Sequence, residues 1–371
     1  MTPARNAGET SGTAVVGRIS RKATELSRTP AKRPTQADIA RLAGVSQATV
    51  SLVLNERDAS IRISPATRER VLTVMREWGY VANASARSLA GGRNKIIGVY
   101  TFEPVFPTSG VDFYFPFLLG MEQEAADLGY DLLLFTSAGG ERQIFRDGST
   151  RLWHADGALL LGRDPNVEEI ERLRDSGYPF VYVGHREVSG PPVSYVAADY
   201  AGATQQLTER LFQLGHQRVA YARIGNGGAQ PSRDREGGFR QATPYQHLAG
   251  PVWTLDSVAE VDGLVEELQR GGITAVLAEQ QLLAEELLVC ATRRGLAIPD
   301  DLSVVELGDS TGARHDGTPW TGLIVPREQM GRQAMGLLVQ LLEAPDSGAL
   351  SESVRCGFAP GATVGPPKEL P

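Results

Sequence analysis

Short polar side chains follow a glycine in the stretch DIARLAGVSQATVSLVLN, residues 38–55. Apolar periodicity stops at Gly44 and resumes with the serine, glutamine, alanine and threonine of positions 46–49 and a serine at position 51. Groups of this size can come close to base edges and phosphates, since a glutamine amide pairs with adenine and an alanine methyl meets the thymine methyl. A helix N-terminus also favours a phosphate. This spacing therefore indicates contact with nucleic acid.

Two short helices must position these side chains. The first ends at Gly44, because glycine tolerates a positive φ, and Ser46 caps the second. The apolar residues predicted to face inward are Ile39, Leu42, Ala43, Val50, Val53 and Leu54. Two short helices joined by a glycine turn predict a helix-turn-helix, whose second helix enters the major groove. An ordinary helical hairpin within a bundle is the alternative.

A third helix is predicted in SPATRERVLTVMREWGY, residues 64–80. Ser64 caps it and Pro65 occupies its first turn. Its inward-facing residues are predicted to be Val71, Leu72, Met75 and Trp78. The following VANASARSLAGG combines alanine and serine with a final pair of glycines, as is typical of a linker.

The charge is distributed unevenly along the chain. Residues 1–95 carry 16 Lys and Arg and 7 Asp and Glu, a net charge of +9, so the remainder carries −16 of the total of −7. A basic N-terminal part on an acidic body favours a polyanionic partner for the N-terminal part alone. A basic tail that is only solvated is the alternative.

The rest of the chain alternates strands and helices from residue 95 onwards. This alternation predicts parallel sheets covered on both faces, in two consecutive blocks at about 95–192 and 193–318. Two such lobes would hold a ligand cleft between them. We find no apolar run long enough for a membrane span, and the start of the chain lacks a long apolar core, so it is expected to be a poor secretory signal. Cys290 and Cys356 are predicted to be reduced thiols of a cytoplasmic protein.

These residues resemble the lactose-repressor (LacI-type) family of bacterial transcription regulators. The resemblance is carried by TQADIARLAGVSQATVSLVLN and by ISPATRERVLTVMREWGYVANASARSLAGG behind it, and it extends loosely over about 35–365. It implies an N-terminal all-α helix-turn-helix headpiece plus an α/β two-lobed body with parallel sheets, like that of periplasmic binding proteins. It also implies a homodimer whose headpieces read double-stranded operator DNA.

Composition and this resemblance together predict the domain organisation. Residues 1–33 are rich in Ser, Thr, Gly, Arg and Lys without sustained periodicity, which predicts a disordered basic extension, although a start codon assigned too early would give the same pattern. Residues 34–81 are the headpiece, and 82–93 a hinge helix and linker. Residues 94–365 form the effector-binding and dimerisation body. Its first lobe covers about 94–192 with a returning segment near 320–335. Its second lobe covers about 193–318 with the C-terminal segment.

The resemblance assigns DNA contacts position by position. Gln47, Ala48 and Leu52 fall where relatives read bases; the last position is often arginine, so a guanine contact is missing or replaced there. The residues expected to touch phosphates or fix the headpiece on them are Thr35, Ser46, Thr49, Ser51, Asn55, Arg62, Ser64 and Thr67. The hinge contributes Asn83, Arg87, Leu89 and Ala90, with Leu89 as an apolar wedge that unstacks a base step.

Two features of this region depart from the family pattern. The loop ERDASIRI is longer than usual, which shifts Arg62 relative to its phosphate. Ala82 replaces a proline that often precedes Asn83. Neither change removes the expected DNA binding.

The body is expected to bind a small sugar-like effector. The residues assigned to the effector are Tyr114, Phe115, Arg186, Arg235, Gln280 and Asp309, while Asp199 is expected to cap a helix. Arginine suits this task because its donors form a fixed fork. Glu279, Gln280 and Gln281 stand where relatives commonly have Ala-Asn-Asp, and Gly308 and Asp309 stand where they commonly have two aspartates. The carboxylates that are lost usually hold sugar hydroxyls. This leaves two alternatives, an effector other than a typical sugar or weakened sensing.

The predicted function is that of a DNA-binding repressor with an effector-modulated affinity for a pseudo-palindromic operator. It needs no cofactor or metal and no membrane. Two other classes of protein fit the sequence less well. A sugar-binding transport protein has no use for residues 35–92. An enzyme with a nucleotide-binding fold has only GNGG, residues 225–228, as a glycine-rich candidate, and this lacks the required spacing.

Overall fold

The structure is a computed structural model that describes residues 34–55, 63–80, 93–103, 113–136, 143–162, 165–242, 250–310 and 317–368. It divides into two compact units, Met1–Gly92 and Arg93–Pro371. The first contains the headpiece and the second the body. No helix within the described ranges is long and apolar enough to cross a membrane.

The headpiece contains the three predicted helices, α1 (Gln36–Ala43), α2 (Gln47–Asn55) and α3 (Pro65–Glu77). Its buried core consists of Ile39, Ala40, Ala43, Val50, Val53 and Val71. The prediction of inward-facing residues is wrong for Leu42 and Trp78, which are 38% and 55% exposed. Leu42 lies about 100° around the helix from Ala43. Trp78 follows the last residue of α3, so helical periodicity no longer positions it.

The body consists of strands and helices in close alternation. In chain order these are β1 (Ile96–Thr101), α4 (Phe115–Leu128), β2 (Asp131–Phe135), β3 (Gly157–Leu161), α5 (Val167–Asp175), β4 (Phe180–Val183), β5 (Tyr195–Ala198), α6 (Tyr200–Gln213), β6 (Val219–Ile224), α7 (Gln230–Ala242), β7 (Val252–Leu255), α8 (Val261–Arg270), β8 (Ala275–Ala278), α9 (Gln281–Arg293), β9 (Ser303–Glu306), β10 (Gly322–Ile324), α10 (Arg327–Glu343), β11 (Ser351–Val354) and β12 (Gly357–Ala359).

These strands form two six-stranded sheets, one in each lobe. The first has the order β11-β5-β4-β3-β1-β2 and is parallel throughout. The second has the order β12-β10-β9-β8-β6-β7, and only its edge strand β12 is antiparallel to its neighbour. The predicted strand–helix alternation is therefore confirmed as two parallel α/β lobes.

The sheet order changes the predicted lobe boundaries. Strand β5 belongs to the first sheet, so the first lobe runs to Ala198 instead of ending near residue 192. The returning segment consists of α10 and β11, because α10 packs in the core of the first lobe, whereas β10 belongs to the second sheet. The chain thus passes between the lobes after β5, after β10 and after β11.

Helices α4 and α10 cross at two glycines. A Cβ on Gly120 would lie 1.9 Å from the carbonyl oxygen of Glu328, and one on Gly331 would lie 2.1 Å from that of Phe117. Real Cβ atoms do not approach backbone oxygens this closely. The absence of a side chain at these positions allows the two helix backbones to touch.

Replacing Gly331 with alanine should therefore destabilise the body, by about 1–3 kcal/mol, because the helices must separate. The same substitution at Gly336 is the matched control on α10, since its Cβ would meet only Glu124 Oε1 at 3.8 Å. There the helix propensity of alanine should stabilise by up to about 1 kcal/mol. Chemical unfolding of both variants measures this. Equal effects of the two substitutions would contradict the close-approach argument.

His216 makes the stability of the second lobe depend on pH. Its Nδ1 lies 2.8 Å from Thr274 Oγ1 and its Nε2 lies 2.9 Å from the Gly365 carbonyl oxygen. Burial lowers the pKa of His216 below its ordinary value of 6.5. As pH falls below that value, the unfolded chain takes up the proton before the folded one does, so stability is lost.

We expect the melting temperature to drop when the pH is lowered from 7.5 to 5.5. This drop should be smaller in His216→Asn than in the parent chain. Thermal unfolding at both pH values checks this. The other titratable groups are common to both proteins and cancel in the comparison. An identical fall in both proteins would rule out His216 as a contributor.

Candidate nucleic-acid interface and ligand cleft

Side-chain caps fix the start of each headpiece helix. The backbone N–H of Thr49 donates to Ser46 Oγ at 3.1 Å, and that of Thr67 donates to Ser64 Oγ at 3.2 Å. Thr35 and Asp38 form a reciprocal capping box at the start of α1. Hydrogen bonds from Thr35 and Arg41 hold the pKa of Asp38 at about 2. The predicted caps of α2 and α3 are thus confirmed.

The turn between α1 and α2 depends on Gly44. Its φ is 63°, in the left-handed region, and its N–H donates to the Arg41 carbonyl at 3.3 Å. A side chain at this φ is strained even though the space around it is open. The glycine that breaks the periodicity is therefore what allows α2 to start directly after α1.

The N-terminal face of α2 is open to solvent. Gln47 and Ala48 are exposed and Leu52 is half-buried, whereas Val50 and Val53 on the opposite face are buried. Gln47 Nε2 lies 3.4 Å from Gln36 Oε1, a distance at the limit of a hydrogen bond. Its amide can exchange this weak contact for a base edge.

The residues assigned to phosphates share a structural feature, because Thr35, Ser46 and Ser64 are the N-caps of the three helices. Thr49 and Thr67 lie in the first turns, next to these caps, while Ser51 is half-buried on α2. Asn55 is the last residue of α2. Five assigned residues lie outside the described ranges: Arg62, Asn83, Arg87, Leu89 and Ala90.

The folded headpiece carries little net charge. Residues 34–55 and 63–80 contain 4 arginines and 3 acidic residues. Arg41 and Arg76 pair with Asp38 and Glu69 at 3.1 and 2.8 Å. Most of the excess of +9 in residues 1–95 therefore comes from segments other than the three helices.

A cavity of about 1150 Å³ lies between the two lobes of the body. It is walled by residues at the carboxyl ends of strands in both sheets and by the first turns of α4, α7 and α10, the usual position of a ligand in such sheets. Its lining includes Tyr114, Arg186, Arg235, Gln280 and Asp309. Phe115 is absent from it and is 56% exposed, whereas Phe113 and Phe117 line it.

Arg235 is held rigidly in the second-lobe wall. It is 7% exposed, its Nε donates to the Leu307 carbonyl at 3.1 Å, and its Nη1 donates to the Pro231 carbonyl at 3.3 Å. Its guanidinium lies 3.9 Å above the ring of Tyr200. A buried guanidinium fixed in this way is preorganised to donate hydrogen bonds to the hydroxyl or carboxylate of a ligand.

Arg186 is fixed similarly in the first-lobe wall. Its Nη1 donates to the carbonyl of His185 at 3.0 Å and its Nη2 to that of Gly162 at 2.9 Å. The guanidinium lies 4.8 Å from the centre of the Tyr182 ring. Tyr114 donates its hydroxyl hydrogen bond to Glu103. Arg186 and Arg235 thus place a fixed guanidinium in the first-lobe and the second-lobe wall of the cleft.

Asp309 joins the two lobes. Its carboxylate forms an ion pair with Arg327, the first residue of α10, and accepts a hydrogen bond from the Val325 N–H at 3.4 Å. Both side chains of the ion pair are largely buried, at 13% and 14% exposure. Arg327 also lies 4.6 Å above the Phe113 ring. The sequence assigned Asp309 to the effector, yet its charge is already paired.

Glu306 shapes the turn that presents Asp309. Its carboxylate accepts from the N–H groups of Gly308 and Asp309 at 2.6 and 3.1 Å and from Ser310 Oγ at 2.6 Å. Burial raises the pKa of Glu306. A Cβ on Gly308 would lie 2.6 Å from Glu306 Oε1. The missing carboxylate at position 308 therefore has a physical cause, because Glu306 fills that space.

The amide of Gln280 is used within the protein. Its Oε1 accepts from the Ile224 N–H at 3.0 Å, and its Nε2 donates to the Ile224 carbonyl at 3.1 Å. The Gln280 amide therefore pairs with the last residue of β6 in the manner of a peptide group. It lines the cavity with both polar atoms already paired.

Several cleft residues were missed by sequence reasoning. They are Phe113, Tyr200, Ser232, Glu279 and Arg327. Asp199 was correctly predicted as a cap, since it accepts from the Gly202 N–H at 2.9 Å. In the described part of the chain no cluster of three or more His, Cys, Asp or Glu side chains could hold a metal ion.

Comparisons with known proteins agree with this geometry. The model of the bacterial regulatory proteins of the lacI family matches residues 35–83, and that of the periplasmic binding protein-like domain matches residues 208–364. The HTH-type transcriptional regulator CelR of Thermobifida fusca is 32% identical over 332 residues, which cover 87% of this chain and 95% of the relative.

Solved structures show the same architecture. The transcriptional regulator CelR–cellobiose complex has a TM-score of 0.56 at 28% identity and covers 89% of this chain and 100% of its own. The lac repressor dimer bound to operator and the anti-inducer ONPF has a TM-score of 0.64 at 20% identity, with 90% and 100% coverage, and shows the fold alone. The resemblance inferred from the motifs is confirmed, and the relatives are regulators instead of enzymes. The chain belongs to the LacI family of bacterial helix-turn-helix transcriptional regulators.

Proposed function

We propose that this regulator is a cytoplasmic repressor that binds a pseudo-palindromic operator as a homodimer. A sugar-like small molecule bound between the lobes changes its operator affinity. The observation that carries the proposal is the open N-terminal face of α2, where Gln47 and Ala48 are exposed above a buried valine face. Such a face is what a recognition helix presents to the major groove.

The low net charge of the folded headpiece supports sequence-specific recognition of DNA bases. Phosphate contacts contribute affinity without sequence information, while contacts to base edges provide the specificity. With 4 arginines against 3 acidic residues in the described headpiece, the three helices contribute little general attraction to DNA. Base contacts of α2 and the fit of the capped helix N-termini to phosphates would then decide where the protein binds.

The cleft supports effector control. Its walls come from both lobes, and the lobes are connected by the crossings after β5, β10 and β11. A ligand that contacts both walls favours one relative arrangement of the lobes, and operator affinity shifts by the difference in its affinity for the two arrangements. The cellobiose of the related complex is the first probe, within a panel of neutral disaccharides and hexoses.

Selection from a randomised duplex library tests the DNA assignment, with the full-length protein at a fixed salt concentration near 0.15 M. We expect a motif with two-fold pseudo-symmetry. In Gln47→Ala, the base preference should change at one position in each half-site, and the binding free energy for the preferred base there should weaken by about 1–3 kcal/mol. Gln269→Ala, an exposed glutamine on α8, is the matched control and should leave the motif unchanged.

The outcomes separate the alternatives. Equal weakening of Gln47→Ala on all sequences would contradict base reading by this residue. Weak binding without any motif, in the presence and absence of the sugar panel, would contradict the repressor function. A single half-site without symmetry would contradict the dimer.

A further inference from the structure

Glu279 is a buried carboxylate on the wall of the cleft. It follows the last residue of β8, lines the cavity and is 7% exposed. Its Oε2 accepts hydrogen bonds from Tyr221 Oη at 2.5 Å and from Ser232 Oγ at 2.7 Å. Burial and the neighbouring Glu279 raise the pKa of Tyr221, so its hydroxyl keeps the proton that it donates.

The second oxygen of Glu279 is less occupied. Its Oε1 has only the Gln280 Nε2 contact at 3.4 Å, and that amide nitrogen bonds the Ile224 carbonyl at the shorter distance of 3.1 Å. Within the described ranges Glu279 forms no ion pair. A carboxylate oxygen can accept two hydrogen bonds. Oε1 therefore keeps acceptor capacity inside a ligand cavity, held in place by two hydroxyl donors on Oε2.

Other second-lobe carboxylates near the cleft are already paired within the protein. Asp309 is neutralised by Arg327, and Glu306 accepts from the turn at 308–310. A side chain at position 308 would require the buried Glu306 carboxylate to move, because a Cβ there would lie 2.6 Å from Glu306 Oε1. Glu279 can therefore accept a hydrogen bond from a ligand, which these other positions do not offer.

Arg235 complements Glu279 on the same wall. Ser232, which bonds Glu279, and Arg235 lie three residues apart on α7, so they share one face of the helix. Within the described part of the chain Arg235 has no carboxylate within ion-pairing distance. The wall therefore presents a fixed donor and a fixed acceptor, with the rings of Phe113 and Tyr114 across the cleft.

We propose that Glu279 is the residue that determines effector specificity, accepting hydroxyl hydrogen bonds while Arg235 donates to neighbouring oxygens of the same ligand. The ligand class is a neutral polyhydroxylated compound, for which one acceptor and one donor match adjacent hydroxyls. A sugar acid fits less well, because its carboxylate at Arg235 would be repelled by Glu279. This inference rests on the cleft being the effector site, as the proposed function has it.

The test uses full-length protein and isothermal titration calorimetry. The probes are the neutral panel led by cellobiose, the sugar acid glucuronate, and glycine as a zwitterion that could pair its two charges with Arg235 and Glu279. The parent chain should bind a neutral sugar most tightly. In Glu279→Gln this binding should weaken about 10- to 100-fold, since hydrogen bonds to a charged group are lost. Glu266→Gln, an exposed carboxylate on α8, removes the same charge and should change binding less than twofold.

Operator binding without sugar is measured on the same preparations. It should be equal in the parent chain and in Glu279→Gln, which shows that the variant is folded and separates this inference from the DNA-binding function. The inference is overturned if Glu279→Gln binds the sugar like the parent chain, or if Glu266→Gln weakens binding equally. It is also overturned if the parent chain prefers glucuronate or glycine, or if it binds operator but no neutral sugar.

Discussion

Arg235→Lys is expected to weaken sugar binding at least about tenfold and to leave operator binding in the absence of sugar unchanged. Lysine keeps the charge but loses the planar fork, so it cannot bond the Leu307 and Pro231 carbonyls and present a donor to the ligand at once. The stacking of the guanidinium 3.9 Å above Tyr200 is lost as well. The variant protein should remain on its operator at sugar concentrations that change the binding of the parent chain.

Two measurements on each protein check this expectation. Calorimetry gives the dissociation constant of the neutral sugar that binds the parent chain best, and fluorescence anisotropy on a labelled operator gives the DNA affinity with and without that sugar. Arg240→Lys is the matched control, because Arg240 lies on the same helix and pairs with Glu236 at 2.6 Å, at 61% exposure. A variant that loses operator binding as well would indicate a structural role for Arg235 in place of ligand recognition.

The local structure of the headpiece could be predicted because its signals are local. A cap serine lies three residues from the N–H that it bonds, and Gly44 occupies the left-handed turn by itself. The bounds of α10 also follow from local pattern, since Arg327–Glu343 is a single amphipathic run. Leu42 and Trp78 show the limit of this reasoning, because periodicity predicts neither how far the buried face of a short helix extends nor the residue at which a helix ends.

Helix α7 shows why other elements were missed. Its sequence, QPSRDREGGFRQA, contains adjacent glycines, which are poor helix formers. The structure gives one of them a reason, because a Cβ on Gly238 would lie 2.1 Å from the Ala201 carbonyl oxygen. The glycine allows α6 and α7 to pack closely. This reason exists only in the tertiary structure, so the sequence pattern alone does not predict the helix.

The ligand cleft depended still more on long-range structure. The position of Arg235 in a family motif predicts its role. The motif does not predict its stacking on Tyr200, which joins α7 to α6 within the second lobe. Gln280 was expected to face a ligand, and its amide instead bonds Ile224, 56 residues away. The acceptor role of Glu279 depends on Tyr221, at a separation of 58 residues. Such contacts are set by strand order, which local pattern does not encode.

Asp309→Asn is expected to lower the free energy of unfolding of the body by about 3 kcal/mol, because it leaves the Arg327 guanidinium buried without its counter-charge. The pair is 13% and 14% exposed, and Arg327 Nε has no hydrogen-bond partner in the described ranges, so the Phe113 ring at 4.6 Å would be left to stabilise the charge. The pair also connects the turn after β9 to the start of α10, across the crossing that follows β10. Its loss should therefore loosen the coupling of the two lobes.

A double-mutant cycle with Arg327→Gln measures this coupling directly. We expect Asp309→Asn and Arg327→Gln together to destabilise less than the sum of the single variants, by about 1–3 kcal/mol, since the double variant leaves no buried unpaired charge. Chemical denaturation of the four proteins at pH 7.5 gives the cycle. Additive effects would show that the two residues act independently. With effects that are less than additive, we expect the same variants to shift the sugar response of operator binding, because both residues line the cavity.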